Sequence, residues 1–301
     1  MIDASSGAGN PRTILTVNEV IRERMIACSD KALAQFKSAI CPIYGSTPNG
    51  QPEQLGSCVL LEIAGKPCLM TASHLIDSNS DTSLYVGGKD LTLIEAEFSV
   101  SPDPGGDRKN DRYDFAIAEL TSAFVAKLGG VRFIRDDEIS SSVVPTTGHL
   151  FGCLGYPNSQ NRRVDSTAKK ITPRRGRYVS NTADRPALLK KLNISGQHHL
   201  IIDHRKYSKD DGGNRVSSYA LSGFSGRAVI DLGRLSTPEV ATGIVPCEPR
   251  LAGLFIGYYK DHQAIVATRV GTILKAYAAN QNQRKTRSNE MGQATTNGTS
   301  D

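Results

Sequence analysis

The sequence predicts an all-β fold, and two observations support this prediction. Beyond about residue 40 the chain consists of short apolar runs, each four to nine residues long, separated by turn residues. Glycine is abundant, with 28 glycines among 301 residues, which favours many turns. Because no long helical patterns alternate with these runs, a parallel sheet is not expected. The pattern is typical of an antiparallel β-barrel or sandwich.

A helix is predicted ahead of the strands. Residues 1–15 are rich in small residues and are interpreted as a flexible leader. Thr16-Val17-Asn18-Glu19 has the form of a capping box. Apolar residues then recur at helical spacing to about Ile40, and a break near Ser29-Asp30 is left open.

The strands follow the helix. Two apolar runs flank Ala64-Gly65-Lys66 and are expected to form a hairpin. A short closing helix is expected from Gly271 to Ala279, followed by a disordered tail. The predicted strands are Ser57–Ile63, Pro67–Thr71, Ser83–Val86, Leu91–Phe98, Phe115–Leu120, His149–Leu154, Arg177–Ser180, His199–Asp203, Arg227–Asp231, Leu251–Tyr259 and Ala264–Thr268.

These elements define three regions. Residues 1–39 hold the leader and the N-terminal helix, residues 40–279 form the main domain, and residues 280–301 form the tail. Within the main domain, residues 161–215 are interpreted as a basic insertion with a helix around Pro186–Lys191. This insertion holds fourteen Lys or Arg against five Asp, although the whole chain has a net charge of +6.

Six cysteines are scattered along the chain without a Cys-x-x-Cys pair. Several lie in strand-like apolar runs, so we expect them to be reduced and buried. The first thirty residues have no apolar core of a signal peptide, and no apolar run is long enough to span a bilayer. We therefore expect a cytoplasmic protein without a membrane partner.

One turn has the features of a nucleophile. In Gly223-Phe224-Ser225-Gly226 a serine lies between two glycines, at a turn that leaves its hydroxyl accessible and lets backbone N–H groups converge. The same residues also suit an ordinary turn between strands. The motif therefore needs a base and a carboxylate elsewhere in the chain.

Two other stretches supply these groups. Thr71-Ala72-Ser73-His74 delivers His74 at the exit of an apolar strand, where an imidazole suits a general base. Asp114 directly precedes the strand Phe115-Ala116-Ile117-Ala118, where its carboxylate can orient the imidazole. Asp107 and Asp111 are interpreted as turn or capping residues.

With these motifs the chain resembles the trypsin-like (chymotrypsin-fold) serine peptidases, of the bacterial cytoplasmic type. The resemblance rests on the order His, Asp, Ser and on Gly56-Ser57, Thr71-Ala72-Ser73-His74, Asp114-Phe115-Ala116 and Gly223-Phe224-Ser225-Gly226, with further support from Gly155-Tyr156-Pro157 and Gly253-Leu254-Phe255. It covers roughly residues 40–278.

The resemblance implies two antiparallel six-stranded barrels with a cleft between them. Ser225 would be the nucleophile, His74 the base and Asp114 its orienting carboxylate, while the N–H groups of Gly223 and Ser225 would form the oxyanion hole. Tyr219, Gly253 and Phe255 would contact the substrate, a protein or peptide. Because Tyr219 stands where trypsin-type members carry an acid, a preference for Arg or Lys is not supported. A regulatory protein partner is left open.

The alternative is a peptidase-like binding module without catalysis. Lys169-Lys170, Arg174-Arg175 and Arg177 would then contact a protein or nucleic acid. Few aromatic residues accompany them, so nucleic acid is not expected. His198, His199, Asp203 and His204 form a cluster, but alternation places His199 and His204 on opposite faces. No metal site and no cofactor are therefore expected.

Overall fold

A computed structural model of the protein describes residues 16–47, 49–102, 108–140, 148–157, 173–209, 214–217, 225–234 and 246–296. Within these ranges the strands form a seven-stranded sheet, a six-stranded sheet and a two-stranded ribbon. The pairings between named strands are antiparallel. The predicted all-β architecture of two antiparallel units is confirmed. The expected leader and most of residues 158–175 lie outside the described residues.

The N-terminal sheet contains the predicted hairpin. Ala64 and Gly65 connect its two strands, and both have positive φ (49° and 76°), as a two-residue hairpin turn requires. The sheet consists of β1 (Ile40–Ser46), β2 (Pro52–Ile63), β3 (Lys66–Thr71), β4 (Tyr85–Gly87), β5 (Leu91–Leu93), β6 (Ser99–Val100) and β7 (Ala116–Glu119) in the order β5-β4-β1-β2-β3-β7-β6.

The C-terminal sheet is closed. Its edge strands meet where Thr182 pairs with Ile202, so the sheet curls into a barrel. The barrel consists of β8 (Leu150–Gly155), β9 (Gly176–Asn181), β10 (His199–Asp203), β13 (Ala228–Gly233), β14 (Arg250–Tyr259) and β15 (Ala264–Arg269) in the order β10-β15-β14-β13-β8-β9, and the ribbon consists of β11 (Tyr207–Lys209) and β12 (Arg215–Ser217).

The two units share a core. Val59 and Met70 of the first sheet belong to one buried cluster with Ile230 and Leu254 of the second. Burying side chains of this size contributes roughly 1.5–3 kcal/mol each. This shared cluster holds the two sheets together.

The N-terminal helix is continuous. Helix α1 (Val17–Phe36) starts at the predicted capping box, in which the Thr16 hydroxyl accepts from Glu19 N and the Glu19 carboxylate accepts from Thr16 N. No break occurs at Ser29-Asp30. Ala32 and Phe36 are buried in the core that the two sheets share, so the helix packs on both sheets.

The C-terminal helix is much longer than expected. Helix α5, which follows the short helices α2 (Ser73–Asp77), α3 (Ser122–Leu128) and α4 (Pro186–Leu192), covers Val270–Thr296 instead of ending near Ala279. Val270, Ile273 and Tyr277 anchor its first turns in the core. Once a helix is nucleated, residues such as Gln, Arg and Lys extend it at little cost. The prediction of a disordered tail from residue 280 was therefore wrong as far as residue 296.

Two other expectations can be compared with the structure. All six cysteines are free, and Cys247 alone is partly exposed. Among the described helices, none is both long and apolar enough to cross a bilayer.

Candidate active site

Two neighbouring strands of the N-terminal sheet place His74 beside Asp114. Thr71 at the end of β3 pairs with Ala116 at the start of β7, so the residues beyond both positions meet at one edge. The Nδ1 atom of His74 lies 2.7 Å from Oδ2 of Asp114, and the His74 backbone N–H donates to Oδ1 at 3.0 Å. This arrangement fixes the ring with Nδ1 toward the carboxylate and leaves Nε2 for another partner.

Asp114 itself is buried and has an uncommon backbone conformation. Its side chain is only 9% exposed, and its φ is 39°. A positive φ costs free energy for any residue with a Cβ, although Asp tolerates it better than most. Surrounding contacts must therefore hold this conformation.

A buried polar network supports Asp114. The Ser73 hydroxyl lies 2.7 Å from Oδ1 of Asp114, and it also lies 3.2 Å from a carboxylate oxygen of Asp111. The Asp111 side chain is 2% exposed and lies 3.3 Å from the Arg108 guanidinium. Ser101 donates to Asp111 and accepts from the Phe115 backbone N–H.

Sequence reasoning missed most of this network. Asp111 was interpreted as a turn or capping residue, and its side chain does accept from the Tyr113 N–H, but it is also buried within the network. Only the serine at position 73, directly before His74, was a usable signal. Nothing in the spacing of Ser101 or Arg108 connects them with the site, because their contacts depend on the folding of the β6–β7 connection.

The network raises the pKa of His74. Burial of the ring acts in the opposite direction, but the hydrogen bond and the charge of Asp114, helped by Asp77, outweigh it and raise the pKa above its usual value of 6.5. An imidazole with a raised pKa is a stronger base for a hydroxyl proton.

The Ser225 turn is held against the strands that lead to His74. The Ser225 carbonyl accepts from the Ser57 N–H at 3.2 Å. Gly226 has φ of 77°, and a Cβ on it would lie 2.0 Å from the Ser57 carbonyl oxygen and 2.6 Å from the Thr71 hydroxyl. Thr71 is three residues before His74, so the backbone of the serine turn lies against the end of β3, from which the chain continues to His74.

The Ser225 side chain is partly exposed. Within the described residues the hydrogen bonds of the His74 side chain go to Asp114, and none joins it to the Ser225 hydroxyl. Such contacts are often longer without a substrate and tighten in the complex. The structure thus places the Ser225 backbone against β2 and brings His74 into direct contact with Asp114.

Arg227, the residue after this turn, is fully buried. Its side chain fills the space over Gly155, where a Cβ would lie 2.4 Å from the Arg227 Cγ, and its guanidinium approaches Gly176. Gly155 in β8 therefore makes room for the Arg227 side chain.

The other predicted contacts have mixed placements. Gly223, expected in the oxyanion hole, and Tyr219, expected at the substrate, lie outside the described residues. Phe255 is 2% exposed and packs in the barrel core, because strand alternation points it inward. Its backbone bonds Gly226 and Arg227. The Phe255 side chain therefore faces the core, and a Cβ on Gly253 would lie 2.6 Å from the Thr268 carbonyl oxygen. Contact of this strand with a substrate stays a prediction.

The basic region is partly engaged within the protein. The Arg177 guanidinium pairs with Asp30 of α1, and the Arg175 guanidinium lies 5.4 Å from the centre of the Tyr156 ring. Lys169 and Lys170 lie outside the described residues. These contacts tie the described part of the region to the barrel and to α1.

The histidine cluster has protein partners of its own. The ring of His199 lies between two backbone carbonyls, of Ser195 and of Arg112. His204 instead lies 3.2 Å from the Tyr258 hydroxyl. In the described part of the chain, no group of three or more His, Cys, Asp or Glu is arranged to hold a metal ion.

A cavity of about 600 Å³ lies elsewhere between the two units. Its lining includes Tyr44, Pro52, Lys89, Tyr156 and Arg175, but none of His74, Asp114 or Ser225. Pro52 belongs to the same strand as Gly56, where a Cβ would lie 3.0 Å from the Ser225 carbonyl oxygen. The cavity is thus separate from the candidate site, although one strand connects them.

Comparisons with known proteins add similarity of fold. No protein-family model matches the sequence, and no curated protein does. Among solved structures, the fold is similar to the VesB protease of Vibrio cholerae, at 14% identity and a TM-score of 0.48, covering 83% of this chain and 65% of that chain. It is also similar to an inactivated protease paralogue of the scabies mite, at 12% identity and a TM-score of 0.47, covering 82% of this chain and 93% of that one.

A third similar structure is a Glu endopeptidase in complex with MPD, at 15% identity and a TM-score of 0.43, covering 82% of this chain and 91% of that chain. Identities and TM-scores this low carry no argument about what this chain does. The case for a function therefore rests on the geometry of the chain itself.

Proposed function

We propose that the chain is a serine endopeptidase that hydrolyses peptide bonds of a protein substrate. The observation that carries the proposal is the position of Ser225. Its turn packs on the strands leading to His74, while Asp114 holds Nδ1 of the same imidazole at 2.7 Å. A hydroxyl, a base and an orienting carboxylate in this order are the parts of acyl transfer.

The first half of the reaction forms an acyl-enzyme. The Ser225 oxygen attacks the substrate carbonyl carbon while Nε2 of His74 takes the hydroxyl proton. Asp114 accepts from Nδ1–H and stabilises the imidazolium. Collapse of the tetrahedral intermediate breaks the peptide C–N bond, and the imidazolium returns its proton to the leaving amine.

The second half repeats these steps with water. His74 removes a proton from a water molecule, and the resulting hydroxide attacks the ester carbonyl. The ester bond breaks as Ser225 regains its proton, and the acid product leaves. In both halves the N–H groups of Gly223 and Ser225 are proposed to bind the oxyanion, a contribution typically worth about 2.7–4 kcal/mol per donor.

A covalent probe tests the proposal. A fluorophosphonate should label the wild-type chain at Ser225, and labelled peptides identify the site by mass spectrometry. Ser225→Ala should abolish both labelling and hydrolysis of an unfolded protein such as casein. His74→Gln should remove the base and lower the labelling rate strongly.

Ser38→Ala is a matched control, since Ser38 is also a partly exposed serine but lies by the α1–β1 connection. It should label like the wild type. A folded wild-type chain that neither labels nor hydrolyses casein would contradict the proposal.

A further inference from the structure

The segment that carries Asp114 is held by the opposite barrel. The Thr268 hydroxyl of β15 donates to the Tyr113 carbonyl at 2.7 Å, and Nε2 of His199 in β10 lies 2.9 Å from the Arg112 carbonyl oxygen. Both bonds reach the two residues directly before Asp114. Since these hydrogen bonds from the C-terminal barrel fix the backbone of residues 112 and 113, the barrel controls the position of Asp114.

Side chains reinforce the same contact. The Tyr113 ring lies on the His199 ring, with centroids 5.2 Å apart. The Arg112 guanidinium lies 2.7 Å from the side-chain amide of Asn193, whose oxygen accepts from both of its Nη atoms when the amide is oriented to satisfy them. Carbonyl, ring and guanidinium of residues 112 and 113 are thus all engaged by residues of the second barrel.

The backbone of Asp114 is strained, and these contacts can maintain its conformation. A residue at φ of 39° relaxes toward negative φ unless its neighbours prevent it. The Asp114 carboxylate lies 2.7 Å from Nδ1 of His74 and 3.0 Å from its backbone nitrogen. A rotation about φ would move the carboxylate and lengthen both hydrogen bonds. Removing the anchors of residues 112 and 113 releases this rotation.

We propose that Thr268 and His199 are positioning residues of the candidate site, which hold the Arg112–Tyr113 backbone from the second barrel and thereby keep Asp114 against His74. The proposal rests on the proposed function for its kinetic consequence only. Its structural consequence, the contact of Asp114 with His74, is measurable in a chain without activity.

The chemistry of His199 makes the two anchors unequal. Both ring nitrogens face carbonyl oxygens, those of Ser195 and Arg112, yet a neutral imidazole donates through only one of them. Burial, together with the nearby charges of His198 and Arg269, lowers the pKa of His199 in spite of the two carbonyls. Thr268 donates independently of pH and is therefore the better site for a clean test.

The test compares Thr268→Val with Thr268→Ser. Valine keeps the shape and removes the donor, whereas serine keeps the donor. NMR titration of His74 should show its pKa falling toward the ordinary value in Thr268→Val and remaining raised in Thr268→Ser. If the chain is active, kcat should fall by about 10²-fold in Thr268→Val, with KM little changed and with recovery in Thr268→Ser.

Two further variants guard against a general loss of structure. Thr121→Val removes a hydroxyl that caps α3 and costs similar stability, but it should leave the pKa of His74 unchanged. His199→Phe keeps the ring stacking and removes both carbonyl contacts, so it should also lower the His74 pKa. A folded Thr268→Val chain with an unchanged His74 pKa overturns the inference. A wild-type chain without fluorophosphonate labelling instead overturns the proposed function and leaves the titration result standing.

Discussion

The two halves of the candidate site are held by different kinds of interaction. On the N-terminal side, the Asp114 carboxylate accepts hydrogen bonds from the Ser73 hydroxyl and the His74 backbone N–H. Asp111 in turn accepts from the hydroxyls of Ser73 and Ser101. On the C-terminal side, the serine turn is fixed by backbone bonds and by glycines without space for a Cβ. The acid–base half therefore depends on polar groups and the nucleophile half on backbone shape.

This difference determines which substitutions damage each half. A polar group can be deleted from the first half without crowding it, and the fold should survive with altered chemistry. A single added methyl group should damage the second half, because it must displace backbone.

Asp114→Asn should have the largest effect. The amide can donate to Nδ1 of His74, which leaves Nε2 protonated and unable to act as base. We expect kcat to fall by about 10⁴-fold, or about 5.5 kcal/mol, with little change in fold. Steady-state kinetics and circular dichroism measure the two quantities. Asp111→Asn serves as the control. Asp111 contacts Ser73 rather than His74, so this variant should lose much less activity, and equal losses would contradict the assignment of Asp114.

Gly226→Ala should come next. The methyl group meets the Ser57 carbonyl oxygen at 2.0 Å on a backbone with φ of 77°. The backbone strain and the overlap together should lower the free energy of unfolding by about 2–5 kcal/mol, measured by urea denaturation. Gly65→Ala has a similar φ of 76° but nothing within 4 Å, so it should cost only about 1–2 kcal/mol. If both variants lost the same stability, close packing under the serine turn would be disproved.

Ser73→Ala should have a smaller effect. It removes a hydroxyl 2.7 Å from the buried Asp114 carboxylate, and a hydrogen bond to a charged group is worth about 1.5–3 kcal/mol. Urea denaturation should show a loss in this range. Ser99→Ala removes another buried serine, in strand β6, that has no hydrogen bond to Asp114, and it should cost less. A loss at Ser73 no larger than at Ser99 would remove the serine from the network.

The pH dependence is the smallest effect. Since only neutral His74 accepts a proton, kcat/KM should rise with pH, with a midpoint above the ordinary value of 6.5. Stability has the opposite sign: the raised pKa stabilises the fold fully below the unfolded pKa, and this contribution is lost as pH rises through the folded pKa. The His74 side chain is 40% exposed, so solvent screening keeps the stability change small. A midpoint below 6.5 in the rate profile would contradict the role of Asp114.

Local patterns predicted much of the fold. The capping box at Thr16 and the Ala64-Gly65 turn depend on residues a few positions apart, and both were correctly predicted because their chemistry is local. Strand β1 was missed, since its apolar residues continue the pattern of the preceding helix. The length of α5 was underestimated because composition does not report how firmly its first turns are anchored in the core.

Local sequence patterns were enough to indicate which residue types could react and in what order they occur along the chain. It marked His74, Asp114 and Ser225 because each lies at a strand end or turn, and these are local properties. Three features depend on tertiary packing instead: the burial of Asp111 with Ser73 and Ser101, the packing of Gly226 on Ser57, and the contacts of Thr268 and His199 with residues 112 and 113. The longest of these contacts join positions 155 or more residues apart, and such distant pairs follow from packing of whole sheets rather than from any pattern within one stretch.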